Sequence, residues 1–441
     1  MDASELRRSA RLIWEAALQA ADPDTCIRNF VQIDGETLSV GGKQIPIRGR
    51  LIVIGTGKAS AKMAQVIEEI IGGHISGGLV VTKHGHALPL ERIRLVEAGH
   101  PIPDAAGVQA VQETRELLKG LTKDDIVLCL ISGGGSALWP APAEGITLEE
   151  KQEVTQLLLR AGATIRELNA VRKHLSEVKG GQLARWAAPA GVISLIISDV
   201  VGDPVDFIAS GPTAPDTTSF SDALAIIQKY GVDVSDSVRQ RLQQGARGHI
   251  PDTPKPGDPV FKNVQNYIIA NNRMLIDSAV EKAQELRFNT LILGTEVEGE
   301  AKDLGLFFSA IAREIGRSGH PIPAPACILA AGETTVTVRG HGNGGRNQEM
   351  ALAWAIAMAA RPFMASACFA SVASDGTDGP TSAAGGLVDQ LTCVRAVELG
   401  LMPLKFLRGN DSWNLLKATG DLIVTGPTQT NLMDLQILLV G

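Results

Sequence analysis

One local pattern recurs along most of the chain: a short apolar run ends in Gly, Ser, Asp or Asn and is followed by a longer segment with helical spacing. Alternating strands and helices are typical of a parallel sheet with helices on its faces. The pattern therefore predicts a doubly wound α/β fold. The clearest predicted strands are Leu51–Ile54, Leu79–Val81, Ile126–Ile131, Val192–Ile197, Tyr267–Ala270, Leu291–Leu293, Cys327–Ala331 and Cys368–Ala373.

A length of 441 residues exceeds what a single hydrophobic core usually supports, so two domains are expected. The pattern is broken between Gly245 and Pro259, where four prolines alternate with Gly and Asp. Neither a helix nor a central strand tolerates such a segment. It predicts a domain boundary, with domains at 1–245 and 260–441. Residues 4–21 have helical apolar spacing and predict an opening helix packed on a domain surface.

Charge and cysteine usage restrict the partners and the compartment. The net charge is −7 and no run of Lys and Arg could follow a phosphate backbone, so nucleic acid is not an expected partner. Five scattered cysteines without CxxC spacing predict reduced core thiols. The N-terminus lacks the apolar region of a signal peptide, and no apolar run approaches the roughly 18 residues of a membrane span. We expect a cytoplasmic protein with no membrane partner.

The first candidate loop follows the strand Leu51–Ile54 and reads Gly55-Thr-Gly57-Lys58 before a helix. In open α/β sheets, ligands bind beyond the carboxyl ends of strands, where glycines let the backbone approach an anion. Lys58 adds a positive charge there. The alternative is a tight turn with a solvated lysine.

This loop matches neither standard nucleotide fingerprint. A Walker A loop requires Gly at Ile52 and Ser or Thr at Ala59, and a dinucleotide loop requires a third glycine at Ser60. The next strand ends in Thr82-Lys83, without the carboxylate that would bind a ribose. Both departures argue against a nicotinamide site.

The second loop, Ser132-Gly133-Gly134-Gly135-Ser136, directly follows the buried strand Ile126–Ile131. Three consecutive glycines remove the side chains that would keep a phosphate away from main-chain N–H groups. A flexible connector is the alternative, although connectors seldom begin at the end of a core strand. The loop predicts a phosphate site.

Acidic residues cluster after the strand Val192–Ile197. Asp199 and Asp203 lie in the segment Ser198–Asp206, and carboxylates at a strand end suit Mg²⁺, whose remaining ligands are water and phosphate oxygens. Ordinary turn chemistry is the alternative, and we prefer it for Asp206.

The second half of the chain carries two further candidate loops. One strand ends at Gly332-Glu333, a Thr-rich strand is expected next, and a glycine loop then leads into Arg346-Asn347 at a helix start. An arginine held there can bind a phosphate or carboxylate with two hydrogen bonds, or can simply be exposed. Asp375, in the turn Ser374–Pro380, is a second possible metal ligand.

For the other polar residues and motifs, the sequence gives weaker functional signals. His84 and His86 lack a third metal ligand at a recognisable spacing. The basic residues of 172–174 and 179–181, on or just after a predicted helix, form either a solvated face or a basic patch that reaches the site. The chain contains neither a GxSxG nor an HExxH motif, which argues against hydrolase and zinc-protease functions.

In this order, the motifs resemble those of the class II glycerate kinases, the glycerate 2-kinase family with a C-terminal MOFRL domain. The resemblance spans nearly the whole chain. The matching segments are Gly55–Lys58, Glu97–Asp104, Ser132–Ser136, Arg172–Gly181, Ser198–Asp203, Ala209–Thr213, Ala331–Glu333, Gly344–Glu349, Ser374–Gly379 and Thr425–Thr428.

The resemblance implies two three-layer α/β/α domains, the N-terminal one Rossmann-like, with an interdomain active-site cleft. It implies ATP-dependent phosphorylation of D-glycerate at the C2 hydroxyl, requiring Mg²⁺, and we expect a monomer or homodimer. The lysine and arginine usually proposed for that cleft fall on Lys58 and Arg346, which we expect to be catalytic. We further expect phosphate contacts at Gly55, Gly57, Ser132, Gly133, Gly134, Gly135 and Ser136, substrate contacts at Lys179, Ser210, Gly211, Glu333 and Asn347, and magnesium ligands at Asp199, Asp203 and Asp375.

One motif departs from the family pattern. The segment after Thr425 resembles Thr-Gly-Pro-Thr-Gly-Thr-Asn but has Gln429 in place of the second glycine. If this turn requires a positive φ, Gln429 strains it.

Two other functions compete with the kinase. Some members of this family have carried the name hydroxypyruvate reductase, an NAD(P)H-dependent activity that the missing third glycine and ribose carboxylate disfavour. A nucleotide- or metabolite-binding regulator could use the same glycine loops, but would have no need of the acidic and basic groups placed beside them.

Overall fold

The computed structural model describes residues 1–361 and 363–441 and divides into two compact units. The larger unit is Pro23–Ile269, and the split unit joins Met1–Asp22 to Ala270–Gly441. All five cysteines are buried and form no disulfide within the described residues, in agreement with the prediction of reduced core thiols. Among the described helices, none combines the length and apolar character needed to cross a membrane.

Strands and helices alternate along most of the chain. The strands are β1 (Val31–Asp34), β2 (Thr37–Val40), β3 (Lys43–Pro46), β4 (Leu51–Thr56), β5 (Ile75–Lys83), β6 (Arg94–Ala98), β7 (Ile126–Ile131), β8 (Gly191–Ile197), β9 (Val264–Ala270), β10 (Asn289–Val297), β11 (Ala326–Gly332), β12 (Ala367–Ala373), β13 (Gly385–Asp389), β14 (Leu422–Ile423) and β15 (Asp434–Val440). The α-helices are α1 (Ala3–Ala20), α2 (Pro23–Phe30), α3 (Ser60–Ile71), α4 (Ala105–Leu117), α5 (Gly135–Leu138), α6 (Leu148–Arg160), α7 (Ile165–His174), α8 (Gln182–Ala187), α9 (Phe220–Tyr230), α10 (Asp236–Ala246), α11 (Asn272–Glu285), α12 (Ala301–Ser318), α13 (Arg346–Ala359), α14 (Thr392–Glu398), α15 (Pro403–Arg408) and α16 (Ser412–Thr419).

The larger unit contains the parallel sheet that the alternation predicts. Its strand order is β6-β5-β4-β7-β8-β9, and β4 pairs in parallel with both β5 and β7. Every residue of β4 and β7 is buried, which is the expected pattern of central strands covered on both faces. Because the two strands are parallel neighbours, the loops that follow them leave the same edge of the sheet.

Helices α6, α7, α9 and α10 share a second, smaller core in the larger unit. Apolar side chains such as Val154, Leu168 and Phe220 pack together there. Helix α6 begins after Thr147, which forms a capping box with Glu150. This helix and the glycine loop after β7 line one cavity, described below.

The split unit is built around a mixed sheet, not the all-parallel sheet that the alternation favours. Its strand order is β10-β11-β15-β12-β13-β14, and only β10 and β11 form a parallel pair among the pairs described. The C-terminal strand β15 lies in the middle, antiparallel to both neighbours. The chain therefore brings Asp434, the first residue of β15, to the centre of this unit.

The compact units differ from the predicted domain limits in two ways. Helix α1 buries Leu6, Ile13 and Trp14 in the split unit, not beside the strands that follow it in sequence. The proline-rich segment lies within the larger unit, where Asp252 bonds His174 at 2.9 Å and Thr253 bonds Asp216 at 2.9 Å. Because of these contacts and of strand β9, the larger unit extends to Ile269.

The predicted Thr-rich strand after Glu333 does not form. Its structure is limited to one isolated bridge between Thr335 and Glu300. Thr337 donates to the Glu300 carboxylate through its N–H and its hydroxyl, both at 3.0 Å. The threonines therefore tie this loop to the residue that precedes α12.

Candidate active site

The loops after β4 and β7 interlock at the sheet edge. The N–H of Lys58 donates to the Gly133 carbonyl at 2.9 Å, and the N–H of Ala59 donates to Ser132 Oγ at 3.0 Å. A Cβ on Gly57 would lie 2.1 Å from Ser132 Oγ, so only glycine permits this approach. The structure thus brings together the two loops that the sequence singled out separately.

The loop Ser132–Ser136 keeps part of its backbone available for a ligand. The N–H of Ser132 donates to Thr56 at 3.0 Å and that of Gly135 to Ser132 at 3.3 Å. Within the described residues, no backbone carbonyl accepts a hydrogen bond from the N–H groups of Gly133, Gly134 and Ser136. Gly134 has φ +84°, a conformation that favours glycine. These three N–H groups are suited to an anion.

Gly55 has a different role from the one expected. It lies inside β4, where a Cβ would be 2.7 Å from the Leu130 carbonyl. Its missing side chain therefore serves close packing between adjacent strands.

The predicted substrate residues Ser210 and Gly211 are buried behind the glycine loop. Ser210 Oγ lies 2.8 Å from Ser136 Oγ and donates to Asn169 Oδ1 at 3.2 Å. Lys179 Nζ donates to the Ser136 carbonyl at 2.8 Å and to its hydroxyl at 3.1 Å. Ser210 itself has φ +62°, an unfavourable conformation for a residue with a side chain. The strained turn and Lys179 together fix the position of Ser136.

A cavity of about 400 Å³ opens beside this loop, entirely within the larger unit. Lys151, Arg172 and Lys179 line it together with Gly134 and Ser136, and none of its lining residues carries a carboxylate. Pockets of this size hold small-molecule ligands, and the charge of this one selects an anion. The complete lining is His100, Pro101, Ile102, Pro103, Gly134, Ser136, Ala137, Pro140, Leu148, Lys151, Gln152, Thr155, Gln156, Leu159, Arg172 and Lys179.

The cavity cations have perturbed pKa values. Burial lowers the pKa of Lys151 to about 7, and the nearby charges of Arg172 and Arg241 add to the effect. Burial, followed by the charges of Lys151 and Arg172, holds the pKa of Lys179 well below its usual range. The neighbouring positive charges therefore disfavour protonation of the two lysines.

Lys151 was missed in the sequence analysis, although a signal exists. It lies on the buried stripe of α6 with Val154 and Leu158, three and seven residues further on. A lysine among the apolar positions of an amphipathic helix is unusual, because burying an ammonium group carries a large desolvation cost.

The basic residues of 172–174 divide into two groups with different roles. Arg172 lines the cavity, whereas Lys173 is buried in ion pairs and His174 is buried with a hydrogen bond to Asp252. Lys173 Nζ lies 3.2 Å from Asp216 and 3.4 Å from Asp206. The solvated-face interpretation is therefore wrong for Lys173 and His174, whose carboxylate partners are distant in sequence.

The acidic candidates form no closed metal site. Asp199 and Asp203 lie in the loop after β8, and Asp203 has φ +54°. In the split unit, Asp375 accepts hydrogen bonds from the Thr377 N–H at 2.9 Å and its hydroxyl at 3.1 Å. Over the described part of the chain, no group of three His, Cys, Asp or Glu residues could hold an ion.

Arg346 is the first residue of α13 and is fixed by two carboxylates. Its Nε and one terminal nitrogen donate to Asp434 at 2.6 and 2.9 Å, and the other terminal nitrogen lies 2.8 Å from Glu333. Asp434 is fully buried, whereas the Arg346 side chain is 30% exposed. Burial lowers the pKa of Arg346, but the charges of Asp434 and Glu333 outweigh it. The guanidinium is thus positioned and stays charged.

Asn347 lies behind Arg346 and is fully buried. Its side-chain amide oxygen accepts a hydrogen bond from Ser371 Oγ at 2.6 Å, and its backbone N–H donates to Asp378 at 3.2 Å. Burial raises the pKa of Asp378 to about 6, even though this carboxyl accepts bonds from the start of α13. Asn347 therefore supports the helix start that carries Arg346.

Gln429 has a positive φ of +61°, the conformation in which a glycine would be unstrained. Its side-chain oxygen is buried and has no hydrogen-bond partner within the described residues. Replacing Gln429 by Gly is expected to raise the free energy of unfolding by about 0.5–1 kcal/mol, because glycine adopts positive φ without steric cost. Denaturant unfolding measures the change.

Gly426 provides a matched control for this variant. It has φ +69° and open space where a Cβ would lie, so Gly426→Ala should destabilise by a similar amount. If Gln429→Gly instead lowers the unfolding midpoint, contacts of the glutamine outweigh its backbone strain.

The fold and these sites define an α/β protein with interlocked glycine-rich loops and a cavity lined by buried cations. Family models match residues 9–243 (Domain of unknown function, DUF4147) and 326–434 (MOFRL family). The chain is 44% identical to a glycerate 2-kinase of Pyrococcus horikoshii over 100% of this chain and 98% of that protein. A crystal structure of a glycerate kinase from Thermotoga maritima is 39% identical, with a TM-score of 0.88, covering 99% of this chain and 100% of that one.

The chain belongs to this family, in which a DUF4147 domain is followed by a MOFRL domain. A protein of Agrobacterium vitis is 42% identical over 99% of this chain and 94% of its own length. That protein carries the name "Putative hydroxypyruvate reductase". The resemblance inferred from the loop motifs is thereby confirmed.

Proposed function

We propose that this protein transfers the γ-phosphoryl group of ATP to the C2 hydroxyl of D-glycerate, producing 2-phosphoglycerate and ADP. The full-length identity with a glycerate 2-kinase carries this proposal. The cavity supports it, because Lys151, Arg172 and Lys179 suit a reaction in which every substrate is an anion.

Phosphoryl transfer depends on positioning and on neutralising charge, since negative charge spreads over the phosphoryl oxygens in a loose transition state. In the proposed reaction, the N–H groups of Gly133, Gly134 and Ser136 bind phosphate oxygens. Lys58 and Arg346 supply positive charge to the transferred group or to the substrate carboxylate. Glu333 and Asp434 hold Arg346 in one orientation, which lowers the cost of ordering it during the reaction.

Magnesium fits the donor chemistry of the loop after β8. Asp199 and Asp203 are carboxylates, and Mg²⁺ in kinases is bound by one or two of these, with phosphate oxygens and water completing its shell. The ion supplies charge neutralisation of the nucleotide phosphates. We propose Asp199 and Asp203 as the residues that would hold it; Asp375 also stays a candidate.

A direct assay tests the proposed reaction. MgATP and D-glycerate are incubated with the protein, and 2-phosphoglycerate is detected with enolase in the absence of a phosphoglycerate mutase. A parallel reaction measures NAD(P)H oxidation with hydroxypyruvate. We expect an enolase signal in the absence of the mutase, and we expect no oxidation of NAD(P)H. A signal that requires mutase would place the phosphoryl group at another hydroxyl, and absence of ADP release would exclude the kinase.

Lys58→Ala is expected to reduce kcat by about 10²-fold or more, because removal of a transition-state cation costs several kcal/mol. Lys62→Ala is the matched control: Lys62 lies in the first turn of α3, where it bonds Gln65 at 3.2 Å. Steady-state kinetics of both variants measure the difference. Near wild-type turnover in Lys58→Ala would remove this lysine from the mechanism.

We also propose a cytoplasmic location and a monomeric or homodimeric state. Buried cysteines that form no disulfide within the described residues suit a reducing compartment. Light scattering of the purified protein measures the oligomeric state directly.

A further inference from the structure

The cavity in the larger unit has two chemically different regions. Lys151, Arg172 and Lys179 supply positive charge in one region. Proline and aliphatic side chains supply the other, and two of them, Ile102 and Leu159, are 63% and 55% exposed. A ligand that fills this cavity must combine an anionic group with an apolar one.

Lys151 provides the strongest sign of an anion-binding site. Its Nζ is buried and has no hydrogen-bond partner in the described part of the chain. The positive charges of Arg172 and Arg241 help to lower the pKa of Lys151, and the charge of Lys151 helps to lower the pKa of Lys179. A buried cation surrounded by cations is costly unless an anion completes the site.

The size and composition of the cavity distinguish between the two substrates of the proposed reaction. Glycerate is a three-carbon acid with hydroxyl groups and a single carboxylate, so it would leave most of the roughly 400 Å³ empty and would gain nothing from an apolar wall. A nucleotide carries several negative charges at one end and a flat, largely apolar base at the other. Its chemistry matches both regions.

We propose that this cavity is the nucleotide site: Lys151, Arg172 and Lys179 bind the phosphates of ATP, and the base lies against the wall that includes Ile102, Leu148 and Leu159. The inference rests on the proposed function, which makes ATP a substrate. Gly134 and Ser136 line the same cavity, so the phosphates would reach the N–H groups of the glycine loop. Lys151 is then a nucleotide-binding residue that the motifs do not reveal.

Binding of MgADP to the full-length protein, measured by calorimetry, tests the phosphate contact. Lys151→Met is expected to weaken MgADP binding about tenfold or more, since a hydrogen bond to a charged group is lost. The KM for D-glycerate at saturating MgATP should remain within about twofold of wild type. Lys119→Met is the control, because Lys119 is exposed, bonds Glu116 at 2.6 Å and lies outside the cavity.

A second variant tests the base contact. Leu159→Ser changes an exposed side chain, so the fold should be retained. It is expected to weaken MgADP severalfold while leaving magnesium tripolyphosphate, which has no base, unchanged. Equal weakening of both ligands would overturn the placement of the base.

The outcomes separate this inference from the proposed function. If wild type phosphorylates D-glycerate but Lys151→Met binds MgADP normally, the nucleotide lies elsewhere and only this inference fails. A raised KM for D-glycerate with normal MgADP binding would assign the cavity to the acid substrate. If Lys151→Met weakens MgADP in a protein that cannot phosphorylate glycerate, the nucleotide site stands and the proposed function fails.

Discussion

Arg346→Ala is expected to reduce turnover by about 10²-fold or more and also to destabilise the protein by about 3–5 kcal/mol. The first effect follows from the loss of a fixed cation proposed to act in phosphoryl transfer. The second follows from Asp434, which is fully buried and loses the two hydrogen bonds that Arg346 donates to it. Kinetics alone could not distinguish a missing catalytic group from a weakened fold.

The double variant Arg346→Met/Asp434→Asn separates these two effects. Replacing both partners of a buried pair removes the uncompensated charge, so much of the lost stability should return. Turnover should stay low, because no cation is restored. Unfolding midpoints and kcat of the single and double variants form the test. If the double variant recovered both stability and turnover, Arg346 would have a structural role only.

The sequence predicts that the two glycine loops leave the same edge of the sheet, because this placement follows from local rules. Apolar runs identify β4 and β7, and the loops after two parallel strands must leave the same edge of the sheet. The glycines then mark where the backbone approaches a neighbour, as Gly57 does beside Ser132. Gly55 lies inside β4, where its missing side chain permits close packing of the strands, and Ser210 contacts Ser136 from behind the loop.

The remaining features depend on contacts between residues far apart in the chain. Strand β15 enters the middle of its sheet antiparallel to both neighbours, and no local pattern indicates this order. Helix α1 packs with residues beyond 269, although the nearest strands in sequence belong to the other unit. The partners of His174 and Arg346, Asp252 and Asp434, lie 78 and 88 residues away. Spacing rules cannot reveal such pairs.

Lys151 illustrates a conflict between stability and binding. Apolar patterning assigns a buried position of α6 to a hydrophobic residue, but the chain places a lysine there at a cost to the fold. Such conflicts are concentrated at functional sites, where a group is held ready for a ligand. The destabilisation caused by burying Lys151 can be measured in the ligand-free protein.

Lys151→Met should stabilise the ligand-free protein by about 2–4 kcal/mol at pH 7. The folded-state pKa of Lys151 is about 7, against an ordinary value of 10.5. Between these values the unfolded chain binds the extra proton, so wild-type stability gains from a rise in pH. The advantage of the variant is therefore fully present below pH 7 and shrinks by roughly 1.4 kcal/mol per pH unit above it.

Denaturant unfolding of both proteins at pH 7 and pH 9 measures this effect, and Lys119→Met should show neither the gain nor its pH dependence. The proposed nucleotide site adds an opposite expectation for the liganded state. Because an anion compensates Lys151, saturating MgADP should stabilise wild type more than Lys151→Met. A variant that is no more stable than wild type at pH 7 would mean that Lys151 is already compensated within the fold, which would remove the reason for an anion beside it.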